Sequence, residues 1–211
     1  MQDVEIADGF RHVEVYTLEG LLTILWHGPR DATEVVLACG GGMGGLLGPA
    51  DGLYHDLGLE LAGHGFGMLR VGYRQPNNLP RCVHDLVAAG DLASRGGARR
   101  FATIGHSFGG AVAIQAGLVL GEHCRGVITL ATQSAGCEDV GALGVPLLLL
   151  HGTDDEILPA EASGVVQMLA GGGEVVLLPG AGHLLREAAD DLRARLPAWI
   201  GDRFAAETSS S

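Results

Sequence analysis

The stretch Gly105-His106-Ser107-Phe108-Gly109 decides how this chain folds. It follows an apolar segment of strand length at residues 100–105 and precedes an apolar segment of helix length at residues 111–120. A sharp turn between a strand and a helix favours glycines on both sides of the turning residue, because side chains there would keep the two elements apart. The stretch therefore predicts a strand, a strained turn with Ser107 at its tip, and a helix. A simple turn in which Ser107 caps the helix is the alternative.

The rest of the chain alternates between apolar segments of strand length and segments of helix length, which is typical of βαβ units around a parallel sheet. Residues 10–18 and 21–27 flank the turn-like pair Glu19-Gly20 and predict an antiparallel hairpin. The further predicted strands are 35–39, 66–73, 100–105, 126–131, 145–151 and 174–178, and the predicted helices are 49–63, 81–94, 111–120, 159–170 and 184 to about 204. The expected fold class is α/β, with a mostly parallel central sheet of about eight strands, an antiparallel N-terminal hairpin and helices on both faces.

The length and composition fit one globular domain over residues 1–211. Of the 211 residues, 47% are hydrophobic and 18% are charged, so the chain is too apolar for a disordered protein. No linker divides it. Residues 1–9 and 207–211 are expected to be loosely ordered.

The charged residues exclude several functions. The formal net charge is -12, whereas a nucleic-acid-binding surface needs clustered positive charge. All 13 basic residues are arginines, so no lysine can form a Schiff base or bind phosphate in a P-loop.

No membrane segment and no metal site are expected. The sequence has no run of about 18 apolar residues, and its N-terminus lacks the apolar core of a signal peptide. The cysteines Cys39, Cys82, Cys124 and Cys137 are widely spaced and form no CxxC pair. We therefore expect a soluble cytoplasmic protein, a monomer or homodimer without metal or organic cofactor, whose partner is a small molecule rather than nucleic acid or a membrane.

Two further polar motifs follow predicted strands. His151-Gly152-Thr153-Asp154-Asp155 ends the strand predicted at 145–151, and Pro179-Gly180-Ala181-Gly182-His183 follows the strand at 174–178. A lone loop histidine is usually a surface residue, but His183 lies between the last predicted strand and the last predicted helix. His106 and His151 end buried strands and are expected to be structural.

In this order, serine motif first, acidic motif second and histidine motif third, the chain resembles the α/β-hydrolase family from Val35 through its last helix. The resemblance implies that Ser107 is a nucleophile and that His183 is the base that takes its proton. In the family an acid three residues after the glycine of its loop orients the histidine, which implies Asp155. Asp154 is the competing choice, and it is otherwise explained as a turn or helix-capping acid.

The resemblance also implies an oxyanion hole made of two backbone N–H groups. Phe108, the residue after the nucleophile, supplies one of them. The glycine run that begins at Gly40 supplies the other, but Cys39-Gly40 stands where many relatives have His-Gly. The second donor is therefore left open among Gly41, Gly42 and Met43.

No lid domain is expected, because only residues 132–144 separate two predicted strands where many relatives insert one. An open cleft is implied, with Met43 and Leu46 in contact with substrate. The implied activity is that of a serine hydrolase that cleaves a carboxylic ester of a small or extended substrate through an acyl-enzyme intermediate.

Three other functions are compatible with parts of this pattern. One is acyl thioesterase activity, and another is a non-hydrolytic small-molecule-binding protein of the same fold. A structural or interaction module with remnant motifs is the third, and it predicts loss of a triad residue, whereas Ser107, Asp155 and His183 are all present.

Overall fold

A computed structural model describes residues 1–206 of the chain, and within them every strand and helix expected from the sequence is found. The strands are β1 (Gln2–Ala7), β2 (Phe10–Thr17), β3 (Gly20–His27), β4 (Glu34–Cys39), β5 (Gly67–Gly72), β6 (Arg100–His106), β7 (Cys124–Leu130), β8 (Leu147–Gly152) and β9 (Glu174–Leu178). The α-helices are α1 (Leu53–Gly63), α2 (Leu79–Gly96), α3 (Phe108–Leu120), α4 (Glu161–Ala170) and α5 (Ala189–Ala205). The expectation for residues 207–211 lies outside the described residues.

The strands form one sheet in the order β1-β2-β3-β5-β4-β6-β7-β8-β9. Strands β1, β2 and β3 are antiparallel to their neighbours, and β3 is also antiparallel to β5. All pairs from β5 to β9 are parallel. The mostly parallel sheet with an antiparallel N-terminal hairpin is thus confirmed, with one strand more than expected.

The additional strand is β1, in a segment for which the sequence predicted no strand or helix. Asp3 and Glu5 accept hydrogen bonds from Arg11 on β2 at 2.7 and 3.0 Å. Every β1 residue except Asp3 is exposed. An edge strand that buries so little has no apolar alternation to reveal it, because cross-strand ion pairs and backbone hydrogen bonds hold it instead.

Apolar residues alternate between the two faces of the parallel strands, so each face is covered by helices. On β4, Val36 packs in the cluster that contains α1 and α5, whereas Leu37 packs in the cluster that contains α2 and α3. Helix α4 joins α3 in a third cluster on the latter face. Helices on both faces are therefore confirmed, and burial at about 25 cal/mol per Å² of apolar surface is the main stabilising contribution.

Two connections near the carboxyl ends of the strands shape the later site. Between β7 and β8 the chain forms only a short 3-10 turn at Val140–Ala142, which packs against α3 and α4, so no lid domain is present there. Helix α5 begins at Ala189 and not at residue 184 as expected. The chain turns first because the carbonyl of Leu184 accepts a hydrogen bond from Ala50 N at 2.7 Å, and Leu185 has a φ of 55°.

The order of strands β5-β4-β6 places the loops after β4 and β6 side by side. Cys39 at the end of β4 pairs in register with Gly105 near the end of β6. Ligands of open α/β sheets bind beyond the carboxyl ends of strands at such a reversal of strand order. Among residues 1–206, no helix has the length and apolar character needed to cross a membrane.

Candidate active site

Ser107 occupies the tight turn between β6 and α3 that the sequence predicts. Its φ of 59° and ψ of −122° are unusual for a residue with a side chain. Such a conformation costs about 1–3 kcal/mol and persists only where the surroundings enforce it. Here the Ser107 N–H donates to the carbonyl of Leu130 at 2.8 Å, which ties the turn to the neighbouring strand β7.

The glycines around Ser107 are required by close backbone contacts. A Cβ atom at Gly105 would lie 1.8 Å from the carbonyl oxygen of Gly109, and a Cβ at Gly109 would lie 2.3 Å from that of Gly40. Neither contact can be relieved by moving a side chain, because both involve backbone atoms. The glycines therefore let β6, α3 and the loop after β4 meet around the serine.

Asp155 and His183 lie in direct contact. His183 Nδ1 donates to Asp155 Oδ2 at 2.7 Å. The Asp155 side chain is fully buried, whereas that of His183 is 11% exposed at the cavity surface. This contact orients the imidazole and leaves Nε2 as its other functional nitrogen.

The backbone after β8 holds the Asp155 carboxylate. Its Oδ1 accepts hydrogen bonds from the N–H groups of Ile157 and Leu158, both at 2.8 Å. Burial raises the pKa of Asp155, but the hydrogen bonds from Leu158, His183 and Ile157 together outweigh burial and leave that pKa below its ordinary value. Asp155 is therefore ionised at neutral pH.

Asp154, the competing acid, makes no hydrogen bond to His183 in the described part of the chain. It is exposed, and its Oδ1 accepts a hydrogen bond from Thr153 Oγ1 at 2.9 Å. The structure thus brings Asp155 and not Asp154 to His183, and the role of Asp155 in catalysis stays a prediction.

His106 supports the histidine loop from the end of β6. Its Nε2 lies 2.9 Å from the carbonyl oxygen of His183, and the two ring centroids are 4.9 Å apart. Burial lowers the pKa of His106 to about 4, so the neutral ring donates to that carbonyl at neutral pH. The side chain beside Ser107 in sequence therefore positions the backbone of His183.

The glycine run after β4 lies against Ser107 and Phe108. A Cβ at Gly41 would be 3.6 Å from Ser107 Cβ, and one at Gly42 would be 3.8 Å from Phe108 Cβ. Met43 is 96% exposed at the far side of the loop. Gly41 and Gly42 therefore lie against the serine turn, and Phe108 begins α3, where N–H groups lack helical partners.

Two tyrosines hold the start of this glycine run. Tyr54 Oη donates to the carbonyl of Cys39 at 3.0 Å, and Tyr73 Oη donates to the carbonyl of Gly40 at 2.9 Å. Both side chains approach from elements outside the loop, on α1 and directly after β5. They restrict the peptide groups that follow.

A cavity of about 460 Å³ joins these parts. It is lined by Ser107, His183, Gly41, Gly42, Met43 and Leu46, together with other loop residues including Leu47 and Leu184. Asp155 lies behind His183 and does not line it. A second hollow of about 380 Å³ is also lined by His183 and Leu184. The predicted serine, histidine and loop residues therefore share one open cavity.

Sequence reasoning missed the contact of His151 with Asp155. His151 lies four residues before Asp155 and is fully buried, with its Nε2 3.2 Å from Asp155 Oδ2. The only sequence signal was a histidine at the end of a very apolar strand. In residues 1–206, no three His, Cys, Asp or Glu side chains are grouped as metal ligands.

Comparisons with known proteins agree with this architecture. No protein-family model matches the chain, and no curated protein resembles it in sequence. Among solved structures, Est1E from Butyrivibrio proteoclasticus superposes with a TM-score of 0.78 at 15% identity, over 92% of this chain and 99% of that one. A dienelactone hydrolase from Anabaena variabilis gives a TM-score of 0.75 at 18% identity, over 95% and 97% of the two chains.

A third similar structure is a putative aryl esterase from Burkholderia cenocepacia, with a TM-score of 0.73 and 14% identity over 93% of this chain and all of that one. At such low identity the likeness is one of fold. The chain has the α/β-hydrolase fold, as its motifs implied.

Proposed function

We propose that this protein is a serine hydrolase that cleaves a carboxylic ester, with Ser107 as nucleophile, His183 as general base and Asp155 as the acid that orients His183. The observation that supports this most is the strained Ser107 turn, which shares one cavity with His183, the histidine that Asp155 contacts. These parts come from three separate strand ends of one α/β-hydrolase fold. Similar structures named as a dienelactone hydrolase and a putative aryl esterase agree with it.

The proposed reaction has two halves. Ser107 Oγ attacks the ester carbonyl carbon while its proton passes to His183 Nε2. The tetrahedral intermediate collapses, the bond to the alcohol oxygen breaks, and His183 returns the proton to the leaving alcohol. Water then attacks the acyl-serine, gives a proton to His183, and the acid leaves as Ser107 recovers its proton. Asp155 stabilises the imidazolium in both halves.

The developing oxyanion is proposed to accept hydrogen bonds from the backbone N–H of Phe108 and from the glycine loop. Within that loop we assign the donor to Gly41 or Gly42, which lie against Ser107 and Phe108. The Gly44 N–H is already used, because it donates to the Gly41 carbonyl at 2.9 Å. Removing one such donor typically costs about 10²–10³ in kcat.

The cavity limits the substrate only in broad terms. A space of about 460 Å³ beside Ser107 fits a small organic acyl or alcohol group, and its opening leaves room for a longer group to extend into solvent. We assign Met43 and Leu46 to contacts with the apolar part of the substrate. Ester and thioester substrates both fit this description, so the assay must compare them.

Covalent labelling tests the proposal directly. A fluorophosphonate probe is incubated with the purified protein, with Ser107→Ala and with Ser94→Ala, a helix α2 variant, and labelled peptides are mapped by mass spectrometry. We expect labelling at Ser107 in the wild type and in Ser94→Ala, and none in Ser107→Ala. Hydrolysis of phenyl acetate and its S-phenyl thioester analogue then measures the leaving-group preference. A folded protein that neither labels nor turns over either substrate contradicts the proposal and favours a non-hydrolytic binding role.

A further inference from the structure

Asp155 contacts two histidines, and only one of them faces the cavity. His183 Nδ1 lies 2.7 Å from Asp155 Oδ2, and His151 Nε2 lies 3.2 Å from the same oxygen. His151 is fully buried and has no role in the proposed reaction.

 Both rings thus meet at one carboxylate oxygen, although the proposed reaction uses only His183.

The partners of the His151 ring determine which nitrogen carries hydrogen. Its Nε2 lies between two acceptors, Asp155 Oδ2 and the carbonyl oxygen of Leu158 at 3.0 Å, so Nε2 must be the donor. Its Nδ1 lies 2.7 Å from the hydroxyl of Ser163, a buried residue of α4. A neutral ring satisfies every contact, because Ser163 donates to Nδ1 and Nε2 donates toward Asp155.

The donors around Asp155 divide between its two oxygens. Oδ1 accepts from the backbone N–H groups of Ile157 and Leu158, and Oδ2 is shared by the two histidines. A hydrogen bond from a second donor stabilises the carboxylate charge and reduces the attraction that remains for the first donor. His151 therefore both fixes the orientation of Asp155 and weakens its attraction for a protonated His183.

We propose that His151 is a positioning residue, which holds Asp155 Oδ2 against His183 and limits how strongly Asp155 favours the imidazolium form of His183. This inference rests on the proposed function of Ser107, His183 and Asp155. A general base that is protonated too readily cannot accept the serine proton near neutral pH. His151 thus keeps His183 available as a base at lower pH.

Other charged or titratable groups also face His183. His106 packs against it from the end of β6, and Asp155 contacts it from the loop after β8. The hollow beside His183 is further lined by Asp154, Glu156, Arg186 and Glu187. Substitution of His151 leaves all of these groups in place, so a changed protonation of His183 is attributed to the lost contact at Oδ2.

Two substitutions separate hydrogen bonding from packing. His151→Phe keeps a ring but removes the donor, whereas the amide of His151→Gln can donate from nearly the place of the ring Nε2. We expect His151→Phe to lower the plateau of kcat about tenfold, to keep KM within about twofold, and to move the acid limb of kcat/KM about half a unit to higher pH. His151→Gln should stay within about threefold in kcat with the acid limb unmoved. His84→Phe, at an exposed position of α2, is the control.

A second measurement needs no turnover. The protonation of the His183 ring is followed by ¹⁵N NMR titration in the wild type and in both His151 variants. The His183 signals are assigned by their loss in His183→Asn. If His151→Phe does not fold, His151→Leu replaces it. A midpoint that rises without the donor and returns in His151→Gln supports the inference. Equal midpoints in folded proteins, or equal loss of kcat in all variants with an unmoved acid limb, overturn it. The two proposals can fail separately. If the His183 midpoint differs between the variants as expected but the wild type does not react with fluorophosphonate, the hydrolase proposal is refuted and the coupling of the two histidines through Asp155 stands.

Discussion

Replacing Asp155 by asparagine is expected to remove most of the activity, whereas the same change at Asp154 is expected to have little effect. Asp155 Oδ1 accepts two backbone N–H groups at 2.8 Å, so asparagine would keep its carbonyl oxygen there and turn its NH₂ group toward His183. His183 Nδ1 would then have to accept a hydrogen bond instead of donating one. In that tautomer Nε2 carries hydrogen and cannot take the proton of Ser107.

The size of the loss has two parts. A hydrogen bond to a charged group contributes about 1.5–3 kcal/mol, which is roughly a ten- to hundredfold change in rate. The wrong tautomer adds to this, and the corresponding change in the serine-protease triad lowers kcat about 10⁴-fold. We therefore expect kcat of Asp155→Asn to fall about 10³- to 10⁴-fold.

The assay compares kcat, KM and thermal unfolding of wild type, Asp155→Asn and Asp154→Asn with one aryl ester at neutral pH. Asp154 is exposed and bonds only to its neighbour Thr153 among the described side chains, so its variant should retain kcat within about twofold. Full activity in a folded Asp155→Asn protein, together with loss in Asp154→Asn, would refute the assignment of the acid. Full activity in both would refute the need for an orienting carboxylate.

Three further predictions concern the surroundings of the site and the core. His27 is fully buried, and burial lowers its pKa to about 3. In the unfolded chain the pKa of His27 is about 6.5, so unfolding takes up a proton at pH values between about 3 and 6.5. The free energy of unfolding therefore falls as the pH drops below about 6.5, by about 2 kcal/mol at pH 5. Thermal unfolding at pH 7 and pH 5 should therefore show a Tm decrease that is several degrees smaller in His27→Phe. Gly109→Ala should lose labelling at Ser107 and should unfold at a Tm several degrees lower, because its Cβ would lie 2.3 Å from the Gly40 carbonyl oxygen. An active variant with an unchanged Tm would contradict this close approach. Tyr73→Phe should lower kcat by about three- to tenfold at constant KM, since it removes the 2.9 Å hydrogen bond to the Gly40 carbonyl. An unchanged kcat would show that the glycine loop does not need this hydrogen bond.

Hydrophobic periodicity was sufficient to predict the elements that bury an apolar face. The strands around Val36 and Leu37 and the helices that cover them were found because burial dictates their spacing. The strand β1 was missed, since ion pairs to Arg11 and backbone bonds hold it at an exposed edge. The start of α5 was predicted too early, because the turn at Leu185 follows a hydrogen bond from Ala50 N–H to the Leu184 carbonyl. Ala50 is distant in sequence, so no local pattern reveals this contact.

Some features of the candidate site follow from local sequence, and others depend on how distant segments pack. The loop positions of Ser107 and His183 were predictable because glycines mark both turns, and the roles of the two residues stay predictions. The glycines around Ser107 are required by close backbone contacts, whereas Gly180 before His183 has a φ of 72°, which favours glycine. Asp155 and Asp154 are adjacent and chemically alike, so only the path of the chain after β8 separates the buried carboxylate from the exposed one. The contact between His151 and Asp155 could not be foreseen, because it depends on how the strand end and the following loop fold back on each other.

The strain at Ser107 bears on the choice between catalysis and simple binding. A φ of 59° costs a residue with a side chain about 1–3 kcal/mol, and the turn also needs Gly105 and Gly109, which are costly to order. Ligand binding by the cavity walls gains nothing from this conformation, because Met43 and Leu46 lie on a different loop. A nucleophile does gain from it, since the turn presents Oγ beside the N-terminus of α3, within one cavity with His183. The local cost therefore favours a reaction at Ser107 over a binding role for this cleft.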